Sequence, residues 1–133
     1  MVNWQQEQHR YASSRIIHLG MREQLKSHGE HPSWINGELQ PDLHTNWLLE
    51  NVVTTAKPIL EAKERLQPSG DPALDISAFV LVDRQYDGIT KMKEAGFSNI
   101  VVAYKVLDIA YGLVQLGLWS PDNAEAIARE IQN

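Results

Sequence analysis

The chain has 133 residues, 43% of them hydrophobic, which is enough for one buried core and argues against long disorder or a fibrous repeat. Twelve basic and seventeen acidic residues give a net charge of −5, and no cluster of Lys and Arg indicates a nucleic-acid surface. The absence of cysteine excludes disulfides, thiol catalysis and Cys-ligated zinc, and no apolar run approaches the length of about 18 residues that indicates a membrane span.

The first third of the chain is mostly polar. Residues 1–14 predict an N-terminal arm or a loose helix, and they lack the apolar stretch of a secretory signal. We therefore expect an intracellular protein, cytoplasmic rather than organellar. A single domain is expected over residues 15–133. It starts with a short β-branched strand at 15–19, a long polar loop at 20–37 and a second apolar strand at 46–50.

A helix is predicted after the second strand. Thr54 or Thr55 is suited to cap it, and Pro58 fits its first turn, where no backbone donor is needed. The apolar stripe of this helix continues to about residue 67, where the sequence QPSGDP indicates a linker.

The remainder of the chain alternates apolar runs of strand length with helical patterns. The predicted strands are 76–82 and 99–104, and the predicted helices are 86–95, closed by Gly96, then 105–118, and a last helix that starts at Ser120-Pro121. This order predicts an α/β fold with a parallel sheet and right-handed crossovers. One alternative stays open, because Phe79, Val82, Tyr86 and Ile89 also have helical spacing. Residues 76–95 would then form one helix of an all-helical interaction module.

The segment at 48–60, LLENVVTTAKPIL, is the most informative for function. An acid at a strand end followed by a hydroxyl-rich turn into a helix suits a phosphorylated sugar. Backbone N–H groups and the helix dipole hold the phosphate, and the carboxylate faces the ribose hydroxyls or a metal ion. An ordinary capped helix explains the same residues, so both interpretations stay open on this segment alone.

Four segments together form a colinear pattern. Residues 48–56 combine an apolar strand, an acid, two apolar residues and a Thr-rich loop. Upstream, MREQLKSHGE carries Arg22, Lys26 and His28 before a glycine, and downstream VLVDRQYDGITKMKEAGF joins a strand to a helix. With the tail LGLWSPDNAEAIAREI, these segments resemble the orotate phosphoribosyltransferases, type I enzymes that use phosphoribosyl pyrophosphate (PRPP). The resemblance covers residues 15–132.

This resemblance implies a truncated phosphoribosyltransferase-like (Rossmann-like) sheet with flanking helices. It implies a mobile catalytic loop that neutralises and protonates the leaving pyrophosphate, often in the neighbouring subunit's site, through Arg22, Lys26 and His28. The implied PRPP-binding residues are Glu50, Asn51, Thr54, Thr55, Ala56 and Lys57. Arg84 would contact the carboxylate of orotate, and Mg²⁺ would be the cofactor only of an active enzyme.

Several positions depart from the family pattern. Asn51 replaces the second acid, Ala56 stands where glycine lets the backbone approach the phosphate, and Pro58 removes a backbone donor near the cradle. The sequence also starts near the middle of the family's pattern, without the N-terminal hood that closes over the nucleobase. The leading interpretation is therefore a degenerate, non-catalytic relative that acts as a binding or structural subunit, as a homodimer or in a larger assembly, with PRPP or a nucleotide as its ligand. The alternative is an active orotate phosphoribosyltransferase, converting orotate and PRPP to orotidine 5′-phosphate and pyrophosphate, whose site a partner chain completes.

Other conspicuous residues have simpler explanations. His28 and His31 with Glu30 are expected in a solvated loop rather than a metal site, because glycine and proline interrupt any helix there. Asp83 and Asp87 are expected to be a strand-end cap and a surface charge.

Two further expectations concern apolar side chains. Trp47 and Trp119 are expected in the core. The helix at 106–118 is apolar on more than one face, which favours burial against another subunit, with an ordinary buried helix as the alternative.

Overall fold

The computed structural model describes residues 18–21, 45–66 and 75–133. The chain divides into two units, Met1–Leu39 and Gln40–Asn133, and the helices and strands described below all belong to the second. The predicted domain boundary between residues 14 and 15, most of the strand predicted at 15–19 and most of the loop predicted at 20–37 lie outside the described residues. Of the predicted strand, only His18 and Leu19 are described, and they do not belong to a strand.

A three-stranded parallel sheet forms the centre of the second unit. Its strands, in the spatial order β1-β2-β3, are β1 (Asn46–Val53), β2 (Ile76–Asp83) and β3 (Ile100–Lys105). Leu49 lies opposite Phe79, which lies opposite Val101 on the next strand. The predicted α/β fold class with a parallel sheet is confirmed, in a form compatible with a Rossmann-like fold.

Four helices accompany this sheet. They are α1 (Lys57–Leu66), α2 (Gly88–Glu94), α3 (Val106–Gln115) and α4 (Pro121–Gln132). Ile59 of α1 and Met92 of α2 share one buried cluster with Ala78 and Val80 of β2. Both crossover helices therefore cover the same face of the sheet. Among the described helices, none has the length and apolarity needed to cross a membrane.

The all-helical alternative is wrong. Residues 76–83 pair with β1 on one side and with β3 on the other, and a central strand of a parallel sheet is expected to be a nearly continuous apolar run. The helical spacing of Phe79, Val82, Tyr86 and Ile89 is interrupted because the chain turns between β2 and α2.

Element boundaries differ from the prediction in a few places. Strand β1 continues beyond Glu50 to Val53, because its pairing with β2 continues through the polar residues where the apolar run stops. Helix α1 starts at Lys57, so Ala56 and not a threonine precedes it. Helix α3 ends at Gln115, three residues earlier than expected, and a turn with Gly117 at φ +72° follows. The last helix starts as predicted, with Ser120 at the N-cap and proline in its first turn.

The expectation that two tryptophans lie in the core is wrong. Trp47 is 44% exposed and Trp119 is 39% exposed. Trp47 lies in β1 on the same face as Leu49, which is 69% exposed, because side chains alternate along a strand. That face of the sheet is the one opposite the buried cluster of α1 and α2.

Candidate functional site

Two loops meet at the carboxyl edge of the sheet. The β1–α1 loop covers residues 54–56 and the β2–α2 loop covers residues 84–87. Because β1 and β2 are parallel neighbours, their loops leave the sheet at the same edge, and this edge is where ligands bind in open α/β sheets. The Arg84 backbone N–H donates to the Val53 carbonyl oxygen at 3.0 Å, which ties the start of one loop to the end of the other strand.

The β1–α1 loop has an unusual backbone. Ala56 has φ +62° and is buried, and its carbonyl oxygen accepts the Leu60 N–H at 3.0 Å in the first turn of α1. The left-handed region costs a residue with a Cβ about 1 kcal/mol or more, so surrounding structure must hold Ala56 there. Thr54 is half-buried and Thr55 is exposed, which leaves the Thr55 hydroxyl open to solvent at the edge.

Gly88, the first residue of α2, packs directly against this loop. A Cβ on Gly88 would overlap the Val53 side chain and lie 2.6 Å from the Thr54 carbonyl oxygen. Only glycine therefore allows the start of α2 to approach the β1–α1 loop so closely. This contact and the Arg84 hydrogen bond together hold the two loops side by side.

The β2–α2 loop starts with a buried acid. Asp83 is 8% exposed, and its Oδ1 accepts the Gln85 backbone N–H at 2.8 Å. Asp87 forms an exposed ion pair with Lys91 at 2.6 Å. The prediction of a strand-end cap and a surface charge is confirmed for these two aspartates.

Arg84 and Tyr86 form the exposed part of this loop. The Arg84 guanidinium carbon lies 5.6 Å from the centre of the Tyr86 ring, and the Tyr86 hydroxyl donates to Glu130 Oε1 of α4 at 2.7 Å. This hydrogen bond, followed by desolvation and by the negative charge of Glu130, raises the pKa of Tyr86, while the Arg84 charge opposes the shift. The β2–α2 loop at the carboxyl edge is thus connected to α4.

Three cations follow the three strands. Lys57 lies at the start of α1, Arg84 directly follows β2 and Lys105 ends β3, and all three residues are exposed. Lys57 Nζ lies 3.8 Å from Glu61, but the side chains are 79% and 56% exposed, so this pair holds the lysine only weakly. The edge therefore offers positive charge to an anionic ligand, whereas the first turn of α1 offers few backbone donors, because Pro58 has none and the Leu60 N–H is bonded to Ala56.

The structure brings together only part of the predicted site. Thr54, Thr55, Ala56, Lys57 and Arg84 lie at the carboxyl edge. Arg22, Lys26 and His28 lie outside the described residues, so their predicted role on pyrophosphate stays a prediction. His28, Glu30 and His31 also lie outside the described residues, so their expected place in a solvated loop rather than a metal site stays a prediction.

Glu50 and Asn51 lie inside β1 rather than in the loop. Glu50 is three residues before the strand end, about 10 Å along the strand. Its register with Val80 places it on the helix-covered face, so Asn51 lies on the opposite face. The Glu50 Oε1 atom accepts the Asn51 backbone N–H at 3.1 Å. These two residues therefore do not form one paired binding unit in this conformation.

Three residues at the edge were missed by the sequence interpretation. They are Gln85, with φ +64°, the closely packed Gly88, and Lys105. The Asp87-Gly88 pair is a turn signal that could have placed Gly88 at this edge. The end of the apolar run at 99–104 could have placed Lys105 there. No local signal indicates a left-handed glutamine.

No protein-family model matches the chain. Within residues 18–21, 45–66 and 75–133, no group of three or more His, Asp and Glu side chains is placed to hold a metal ion. Chemically, the described part of the edge is suited to bind an anion through a hydroxyl and cations.

Proposed function

We propose that the chain is a degenerate, non-catalytic relative of orotate phosphoribosyltransferase that binds PRPP or a nucleotide at the carboxyl edge of its sheet. The observation that carries this proposal is the hydrogen bond from the Arg84 N–H to the Val53 carbonyl oxygen, which sets the Thr-rich loop beside Arg84. In the resembled family these two segments serve the phosphate and the orotate carboxylate. Here they are adjacent at an edge that carries a cation after each strand.

The loss of turnover is supported by the same residues. Asn51 is neutral and lies on the opposite face of β1 from Glu50, so a pair of acids facing Mg²⁺-bound ribose is not formed.

Isothermal titration with Mg²⁺ and PRPP tests the binding, and an orotate turnover assay tests the catalysis. We expect measurable PRPP binding and no orotidine 5′-phosphate. Lys57→Gln should weaken PRPP binding by about tenfold, since a charge-assisted contact contributes about 1.5 kcal/mol. The matched control is Lys93→Gln, an exposed lysine in the last turn of α2, which should leave the affinity unchanged.

Two outcomes contradict the proposal in different ways. PRPP binding followed by orotate turnover would reject the non-catalytic role. Failure of the wild-type chain to bind either PRPP or a nucleotide in the same titration would reject the proposed ligand.

A second candidate is an active orotate phosphoribosyltransferase whose site is completed by a partner chain. Retention of Arg22, Lys26, His28, Glu50 and Arg84 favours it. In that case Lys26→Ala should abolish turnover in the presence of the partner while the circular dichroism spectrum stays unchanged. Unchanged turnover in Lys26→Ala rejects this candidate.

We also propose that the chain works as a homodimer or as a subunit of a larger assembly. Leu116, Leu118 and Trp119, in one short segment after α3, are 74%, 68% and 39% exposed, and a grouping of large exposed apolar side chains is typical of an interaction surface. Native mass spectrometry of the purified chain tests this, because it reports the oligomeric state and co-purifying chains together. A monomer without any partner would contradict the proposal.

A further inference from the structure

Helix α3 starts without a cap of its own. It follows β3 directly, so its N-cap residue is Lys105, in an extended conformation and without a side-chain hydrogen bond to the helix. The preferred N-cap residues supply a side-chain oxygen to the first free N–H groups of a helix, and a lysine side chain has no acceptor. The start of α3 therefore needs an acceptor from elsewhere.

Gln85 supplies that acceptor from the β2–α2 loop. Its Oε1 accepts the Leu107 backbone N–H at 3.0 Å, across 22 residues of sequence. Leu107 is the second residue of α3, where a capping side chain normally bonds. The amide of Gln85 thus performs the function of an N-cap side chain for a helix to which it does not belong.

The backbone of Gln85 is held in a conformation that glutamine rarely adopts. Its φ is +64°, and its N–H donates to the buried Asp83 carboxylate. The preceding N–H, that of Arg84, donates to the Val53 carbonyl oxygen. Residues 83–85 are therefore fastened to β1 by the Arg84 backbone and to α3 by the neighbouring Gln85 side chain.

We propose that Gln85 is a positioning residue: by capping α3 through its side-chain amide, it holds the β2–α2 loop so that Arg84 stays at the carboxyl edge beside the Thr-rich loop. Gln85 itself is not expected to contact the ligand. The consequence for ligand affinity rests on the proposed function, whereas the effect on Arg84 does not.

The test compares Gln85→Met with Gln85→Glu. Methionine has a similar length but no comparable acceptor, and glutamate retains a side-chain oxygen at the same reach. In the ligand-free chain, Gln85→Met should increase hydrogen exchange at the Leu107 amide at least threefold, and Gln85→Glu should restore the protection. Gln115→Met, at the exposed end of the same helix, is the control for an ordinary Gln→Met change and should leave the Leu107 amide protected.

A second readout separates positioning from general destabilisation. The NMR resonance of the Arg84 side-chain N–H reports its contact with the Tyr86 ring. It should move in Gln85→Met and stay in place in Ile76→Val, which loosens the core cluster at the opposite end of β2 from Arg84. Unchanged Leu107 exchange, or an unchanged Arg84 resonance, in Gln85→Met overturns the inference.

Titration with orotate keeps the two proposals apart. If the wild type binds orotate, Gln85→Met should bind at least threefold more weakly than Gln115→Met, and equal affinities overturn the positioning role. If the wild type does not bind orotate while both ligand-free readouts respond as expected, orotate recognition at Arg84 fails and the positioning of the loop stands.

Discussion

The packing of Gly88 predicts that its replacement by alanine destabilises the fold, although helix propensity alone predicts a stabilisation. Gly→Ala in a helix normally stabilises by about 1 kcal/mol, since alanine loses less backbone entropy on folding. At Gly88 the new Cβ would overlap the Val53 side chain and lie 2.6 Å from the Thr54 carbonyl oxygen. A backbone oxygen in a hydrogen-bonded loop cannot move as a flexible side chain does.

The expected loss follows from these contacts. Forcing an additional methyl group into a packed site costs about 1–3 kcal/mol, and the first residue of a helix gains little from helix propensity. We expect Gly88→Ala to lower the free energy of unfolding by about 2 kcal/mol. The change also pushes the β1–α1 loop away from α2, so it should weaken PRPP binding as well.

Gly112 is the matched control. It lies inside α3, and a Cβ there would have nothing within 4 Å. Gly112→Ala should therefore stabilise the chain by about 1 kcal/mol. The two substitutions are chemically identical, so a difference of about 3 kcal/mol between them measures the close approach at Gly88.

Urea denaturation followed by circular dichroism at pH 7 gives both values. If the unfolding free energy depends equally steeply on urea concentration in all variants, their transition midpoints can be compared directly. If Gly88→Ala is as stable as the wild type, or more stable, α2 does not approach the β1–α1 loop as closely as we infer.

Three further predictions concern neighbouring residues. Ala56→Gly should change the free energy of unfolding by less than about 1 kcal/mol in a urea titration, because relief of the left-handed alanine is offset by backbone entropy and a lost buried methyl. Asp83→Ala should cost about 2 kcal/mol by the same measurement, because the Gln85 N–H loses a charged acceptor in a buried site. Glu130→Gln should lower the Tyr86 pKa towards its ordinary value of 10.0, as followed by tyrosinate absorbance.

Each of these predictions has its own control. Ala62→Gly, inside α1, should cost about 1 kcal/mol, and an equal cost at Ala56 would argue against the left-handed backbone. Asp83→Asn retains an acceptor oxygen and should lose less stability than Asp83→Ala; equal losses would exclude the hydrogen bond as the cause. Tyr86→Phe should remove the tyrosine with the raised pKa from the titration curve.

The raised pKa of Tyr86 determines how the stability of the fold changes with pH. Folding favours the neutral phenol, so its hydrogen bond to Glu130 contributes to stability below pH 10 and that contribution disappears as the pH rises through the raised pKa. A Tyr86 pKa that stays raised in Glu130→Gln would show that the carboxylate is not its cause.

The amino-acid sequence by itself determined the α/β class and the sites of most elements. The apolar run at 76–82, the stripe of α1 and the Ser120-Pro121 start of α4 are local patterns, and local patterns can be read without knowing what lies across the core. The Thr-rich loop and Arg84 were also placed correctly at strand ends, because a parallel sheet brings carboxyl ends to one edge.

Only the tertiary structure decided how that edge is held together. The contact of Gly88 with Thr54 and the capping of α3 by Gln85 join atoms far apart in the sequence, and no local residue preference indicates the positive φ of Ala56 and Gln85. Glu50 and Asn51 point to opposite faces because side chains alternate along a strand, and the strand register decides that Glu50 is the one on the helix-covered face. Residue types indicate which groups are available to a ligand, but pairing and packing determine which of them share one surface.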